Sequence, residues 1–138
     1  MFTPEDAYGK GPYEIWYLPR YRPTGPGHDL SHPEMRAAFG TNSKYFRENP
    51  ITVEEVEHTY ARMGSIAATG LEDVWAKMQG ENWGRGEESN AFLRKVGTGH
   101  TSMMMGDVIQ HGGKWFIADE VGFTEIDRAP SGRGLRRE

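Results

Sequence analysis

The sequence predicts an α+β fold, in which a small antiparallel sheet ends in a C-terminal β-hairpin and packs against one or two short helices. Three observations predict it. Residues 107–111 and 114–118 are strand-like and flank Gly112-Gly113, and paired glycines supply the positive φ values that a tight hairpin turn needs. Leu71, Val74, Trp75 and Met78 fall at i, i+3, i+4 and i+7, the spacing of one helical face. Residues 13–18, Tyr-Glu-Ile-Trp-Tyr-Leu, are aromatic and β-branched and lie between Pro12 and Pro19, which confine a short strand.

The remaining elements follow in order. Residues 20–32 hold Pro23, Gly25, Pro26 and Gly27 and read as a loop. A short helix is expected over 33–39, with Pro33 in its first turn, where a missing N–H costs nothing, and Gly40 at its end. Residues 48–66 carry two signals. Thr52 with Glu55 fits a capping box, which argues helix. Val56, His58, Tyr60 and Arg62 share one parity, which argues strand. The strand, over about 56–67, is the reading preferred here, because it would feed the next helix. That helix spans 71–79. A second capping box, Thr69 with Glu72, opens it, Glu72 and Asp73 suit its N-terminal dipole, and Gly80 stops it. A loop around Trp83 covers 81–86. A helix over 87–96 points Phe92, Leu93 and Val96 inward, and a last strand covers 121–126. The expected core joins Val74, Trp75 and Met78 of the 71–79 helix to Val108, Trp115 and Ile117 of the hairpin.

The chain has 138 residues, 36% hydrophobic, with a formal net charge of −4 and no cysteine. Disulfides, thiolate nucleophiles and Cys-ligated zinc are therefore excluded. No run approaches a membrane span, and the first residues lack the pattern of a secretory leader, so a cytoplasmic protein is expected. Residues 1–127 read as one domain. Residues 128–138, with Arg128, Arg133, Arg136 and Arg137, read as a flexible Arg/Gly-rich tail. The body without this tail is more acidic than the total, which disfavours general nucleic-acid binding, since phosphate contacts supply most of that affinity.

One segment resembles a known family. Residues 100–109 read His-Thr-Ser-Met-Met-Met-Gly-Asp-Val-Ile, and residues 115–123 read Trp-Phe-Ile-Ala-Asp-Glu-Val-Gly-Phe. This phrase is similar to the closing phrase of the YodL-like family of bacterial, phage and mobile-element proteins. Residues 71–75 and 79–83 also resemble related phage and archaeal proteins. The resemblance covers about 67–126, and residues 13–18 correspond to the family's first strand. The chain departs from the pattern at Met104, where the family has a small Ser. The resemblance implies a small non-enzymatic accessory protein that binds and modulates, by inhibition, a host protein such as a defence or cell-machinery component. On that reading the protein works in the cytoplasm of the host cell.

The candidate sites weigh as follows. His100, Ser102 and Asp107 superficially suggest a hydrolytic triad, but nothing resembles a nucleophile elbow or an oxyanion hole, and a structural role in the loop is the better reading. His28 and His32 have the spacing of a helical metal pair, yet Pro26, Gly27 and Pro33 oppose a helix and no third ligand is near. Glu54, Glu55, Glu57, Glu72 and Asp73 form an acidic set, read as solvated and capping charges, with mimicry of nucleic acid as the functional alternative. No catalytic residue, metal or cofactor is expected. Partner binding is assigned to Trp83, His100, Met103, Met104, Met105 and Trp115, a Met/aromatic edge suited to a plastic contact surface, and to Arg133, Arg136 and Arg137. The partner expected is a host protein. A homo-oligomer or virion component and a nucleic acid held by the Arg tail are the alternatives.

Overall fold

The computed structural model describes residues 3–19, 32, 36–37, 40–128 and 135–136. The chain begins with a short helix, α1 (Pro4–Tyr8), whose start is fixed by a capping box between Thr3 and Asp6 with Pro4 in the first turn. Strand β1 (Lys10–Tyr17) follows. Helices α2 (Lys44–Glu48) and α3 (Val53–Thr59) come next, then β2 (Ala61–Ile66), α4 (Leu71–Lys77), α5 (Gly80–Trp83) and α6 (Glu87–Val96). Strands β3 (Val108–His111), β4 (Lys114–Ala118), β5 (Phe123–Ile126) and β6 (Leu135–Arg136) complete the sheet. The strand order is β2-β1-β3-β4-β5-β6, with every pairing antiparallel. The α+β class and the C-terminal hairpin are as the sequence predicts, and Gly112 and Gly113 turn the hairpin at φ +60° and +81°.

Helices cover both faces of the sheet. Alternation along β1 sends Tyr13, Ile15 and Tyr17 to one face, where they meet Met63, Ile66, Val74, Met78, Trp83, Leu93, Met103 and Ile109. The opposite face gathers Val108, Trp115, Ile117 and Ile126 with Phe46, Ile51, Val53, Val56 and Tyr60, and Trp16 packs against this second cluster. This corrects the expected core. Val74 and Met78 are fully buried, but they lie across the sheet from Val108, Trp115 and Ile117. Consecutive strand residues face opposite ways, and the period of a strand does not say which of its faces a given helix covers.

Four further expectations change. The strand over 56–67 is helix as far as Thr59, because Thr52 Oγ1 accepts the Glu55 N–H at 3.3 Å and Val53 and Val56, three residues apart, enter one core. Only Ala61–Ile66 is strand. The second capping box does not form. Gly70 is the N-cap of α4, and Thr69 instead gives its N–H to the Asp73 carboxylate at 2.9 Å. The loop over 81–86 begins as α5, whose Gly80 N–H is held by Ser102 Oγ at 2.7 Å. In α6 only Leu93 of the three inward residues is fully buried; Phe92 and Val96 are half-buried.

Arg36 and Ala37 are helical, while the rest of the helix expected over 33–39 and residues 20–31 lie outside the described residues. Within the Arg/Gly-rich tail, Arg128 Nη1 lies 3.0 Å from Glu54 and 3.6 Å from Glu57 on α3, and Leu135–Arg136 pair with β5. Arg133 and Arg137 are outside the described residues.

Candidate functional site

The loop from α6 to β3 is built around Asp107, whose side chain is fully buried. One carboxylate oxygen accepts the Leu18 N–H at 2.7 Å, and the other accepts the Met104 N–H at 2.9 Å and meets His100 Nε2 at 2.9 Å. The bond to Met104 closes a tight turn in which Asp107 N–H also donates to Met104 O at 3.0 Å, and Gly106 sits third in that turn at φ +100°. The other ring nitrogen of His100 meets Thr98 Oγ1 at 3.2 Å, and Thr98 donates to Leu18 O at 2.9 Å. A hydroxyl has one proton to give. With that proton on Leu18 O, Thr98 Oγ1 is left as an acceptor toward His100 Nδ1. Tyr17 stacks on the imidazole at 4.6 Å between centroids, and its hydroxyl donates to Thr101 O at 2.8 Å. Burial pushes the Asp107 carboxyl up, against the opposing pull of His100 and the two N–H donors. Ser102 is turned to α5, away from a triad. His100 and Asp107 thus serve as a lock on the loop.

The structure separates the residues assigned to partner binding. Trp83 is 3% exposed, with its indole N–H on Met78 O at 3.1 Å. Met103 is buried in the first core and Trp115 in the second, on opposite faces of the sheet. These three are core residues, because large apolar side chains beside a sheet gain most by leaving water. Met105 is half-buried, His100 is engaged in the lock, and nothing is described of the Arg136 side chain. Met104 alone of the expected edge is well exposed, at 48%.

A different apolar surface lies between α4 and the β4–β5 turn. Trp75 is 38% exposed and Val121 90%. Trp75 meets the half-buried Phe123 edge-on, with ring centroids 6.5 Å apart. A solvent-open recess of about 240 Å³ lies beside them, lined by Glu72, Trp75, Asp119, Glu120, Gly122 and Phe123. A shallower one continues over Thr69, Gly70, Leu71 and Asp73. Gln79 Nε2 donates to Trp75 O at 2.9 Å and reaches Met103 O at 3.4 Å, which ties α4 to the segment that carries Met104. The sequence did hold a signal for this surface. In a helix that ends at Lys77, Leu71 and Trp75 share one edge of the apolar stripe while Val74 and Met78 take its centre.

Asp119 sets the turn. Its carboxylate accepts the Thr41 N–H at 3.1 Å, the Thr41 hydroxyl at 2.5 Å, the Thr124 hydroxyl at 2.6 Å and the Glu120 N–H at 2.8 Å. Burial alone would raise its pKa, but these four bonds outweigh burial and hold the carboxyl below its usual range. A lowered carboxyl pKa stabilises the fold above the unfolded-state value, and the contribution is lost as pH falls through the folded one. Asp119→Asn should therefore cost about 1–2 kcal/mol at neutral pH, and the gap from the parent chain should close in acid. Urea midpoints measured from pH 7 to pH 3 check this, and a gap independent of pH contradicts it.

Comparison with protein-family models, with curated proteins and with solved structures returned no match. Among the described residues, no group of three or more His, Asp or Glu side chains is arranged to hold a metal ion. His28 lies outside the described residues. No helix among them is long and apolar enough to cross a membrane.

Proposed function

We propose that this chain is a non-catalytic accessory protein of a phage or mobile element that docks on a host protein and inhibits it. The observation that carries this reading is the contiguous aromatic surface of Trp75 and Phe123, with Val121 on the adjoining turn, where the other large apolar side chains among the described residues mostly fill two cores. An exposed aromatic patch rimmed by polar groups is the usual form of a protein contact site. The engagement of His100, Ser102 and Asp107 in loop architecture, and the resemblance of residues 67–126 to the YodL-like family, support the same reading.

The test is capture of the tagged full chain with its partner from nuclease-treated host extract, followed by titration of the purified partner. The double variant Trp75→Ala, Met104→Ser should keep its circular dichroism spectrum, because both side chains are partly in water, and should lose about tenfold or more in affinity. Unchanged affinity overturns the assignment of this surface. Capture that disappears with nuclease favours the nucleic-acid alternative.

A further inference from the structure

The rim of the α4 recess carries a charge pattern that specifies its occupant. Glu72 and Glu120 both line it, both are exposed, and neither forms an ion pair among the described residues. Asp73 lines the continuation of the recess and is half-buried. Among the described residues, no basic side chain lines either part. The nearest cation along the helix, Lys77, lies 3.9 Å from Asp73 and 4.9 Å over the Tyr8 ring, so it offsets the charge of Asp73 but is paired with neither Glu72 nor Glu120. The acidic residues of α3 differ in this respect, because Arg128 already neutralises Glu54 and Glu57. Gly70 and Gly122 leave open space where a side chain would stand, so an extended backbone can come close.

We infer that this recess binds an arginine side chain on an extended segment of the partner protein, with the guanidinium against the Trp75–Phe123 edge and paired with the carboxylates of the lining, Glu72 and Glu120. Guanidinium is planar and weakly hydrated, stacks on aromatic faces and pairs with carboxylates. An acidic rim repels phosphate, which sets nucleic acid aside for this surface. The inference rests on the docking reading above and gives that surface its ligand chemistry.

The experiment titrates the ¹⁵N-labelled full chain with three capped dodecapeptides that are identical except for two positions, which carry Arg, Lys or Glu. The Arg peptide should shift the Trp75 indole and the amides of Glu72, Glu120, Gly122 and Phe123, with the Lys peptide weaker and the Glu peptide silent. Glu72→Lys with Glu120→Lys should weaken the Arg peptide about tenfold or more, and added salt should do the same. Absence of these shifts, their spread over the whole acidic surface, or indifference to the charge reversal overturns the inference. So does competition by a peptide of residues 129–138 together with concentration-dependent self-association, which would make a second copy the occupant. Titration of the captured partner separates the two readings. A partner that loses affinity with Trp75→Ala but ignores the charge reversal keeps the docking surface and removes its arginine specificity. A partner that ignores both, beside an Arg peptide that binds, removes the docking reading and leaves a cation site.

Discussion

Asp107→Ala should destabilise the protein by about 3–5 kcal/mol and lower its Tm by about 10 °C or more. The change strands the Leu18 and Met104 N–H groups and His100 Nε2 around a buried site, and a buried donor left without a partner costs its full desolvation. Asp107→Asn is expected to recover only part of the loss. Its oxygen can still serve Leu18, but its NH₂ then confronts the Met104 N–H, donor against donor. The pH dependence has the opposite sign to that of Asp119. A carboxyl raised by folding makes the native state bind protons more tightly than the unfolded chain. Its contribution is therefore fully present below the unfolded carboxyl range and falls as pH rises through the folded pKa. Acid should weaken the Asp119 anchor, whereas protonation of Asp107, which comes at higher pH, should cost the native state no stability. Thermal melts of the parent chain and both variants from pH 4 to 8 read this out. A Tm for Asp107→Ala within about 3 °C of the parent refutes the assignment of Asp107 as the organising group.

Gly11→Ala should be comparably severe, at about 2–4 kcal/mol. A β-carbon at this position would lie 2.4 Å from Ala67 Cα and from Ala67 N, and 2.6 Å from Ile66 C. All three are backbone atoms, so no rotamer change relieves the clash, and β1 must part from β2 to admit one methyl group. The pairing is irregular here, since both Lys10 and Tyr13 face Ile66 across a register shift. That bulge also explains how Pro12 sits inside a strand, because β1 pairs with β3 only over Glu14–Trp16. Gly9→Ala provides the comparison. Its β-carbon would meet nothing within 4 Å, so only backbone strain at φ +81° remains. Chemical denaturation should show Gly11→Ala as the larger loss, and equal losses would mean the close approach is readily relaxed.

Much of the fold was legible where local chemistry decides. Gly112-Gly113 and the 87–96 helix are present as read, because a two-glycine turn and a Gly-terminated amphipathic segment have few alternatives. At residues 56–59 the strand expectation fails because Val56, His58 and Tyr60 satisfy a strand period by coincidence, while the Thr52 cap points correctly to helix. The sheet's two-sided covering was not legible, since it depends on where α2 and α3 return to the sheet. The candidate surface was displaced for a related reason. Trp83, Met103 and Trp115 have the composition of a contact patch, and only the packing shows that the cores consume them. Trp75 and Phe123 come together through the end of α4 at Lys77 and the Asp119 turn, a meeting of segments far apart in the chain that no local pattern encodes.

Strand β1 gives alternate side chains to both clusters and lies between β2 and β3. Neither hydrophobic cluster can then melt while the other persists, because the event that dissolves one removes a wall of the other. The protein should lose its structure as one cooperative unit, with its most slowly exchanging amides in the interior of this first strand.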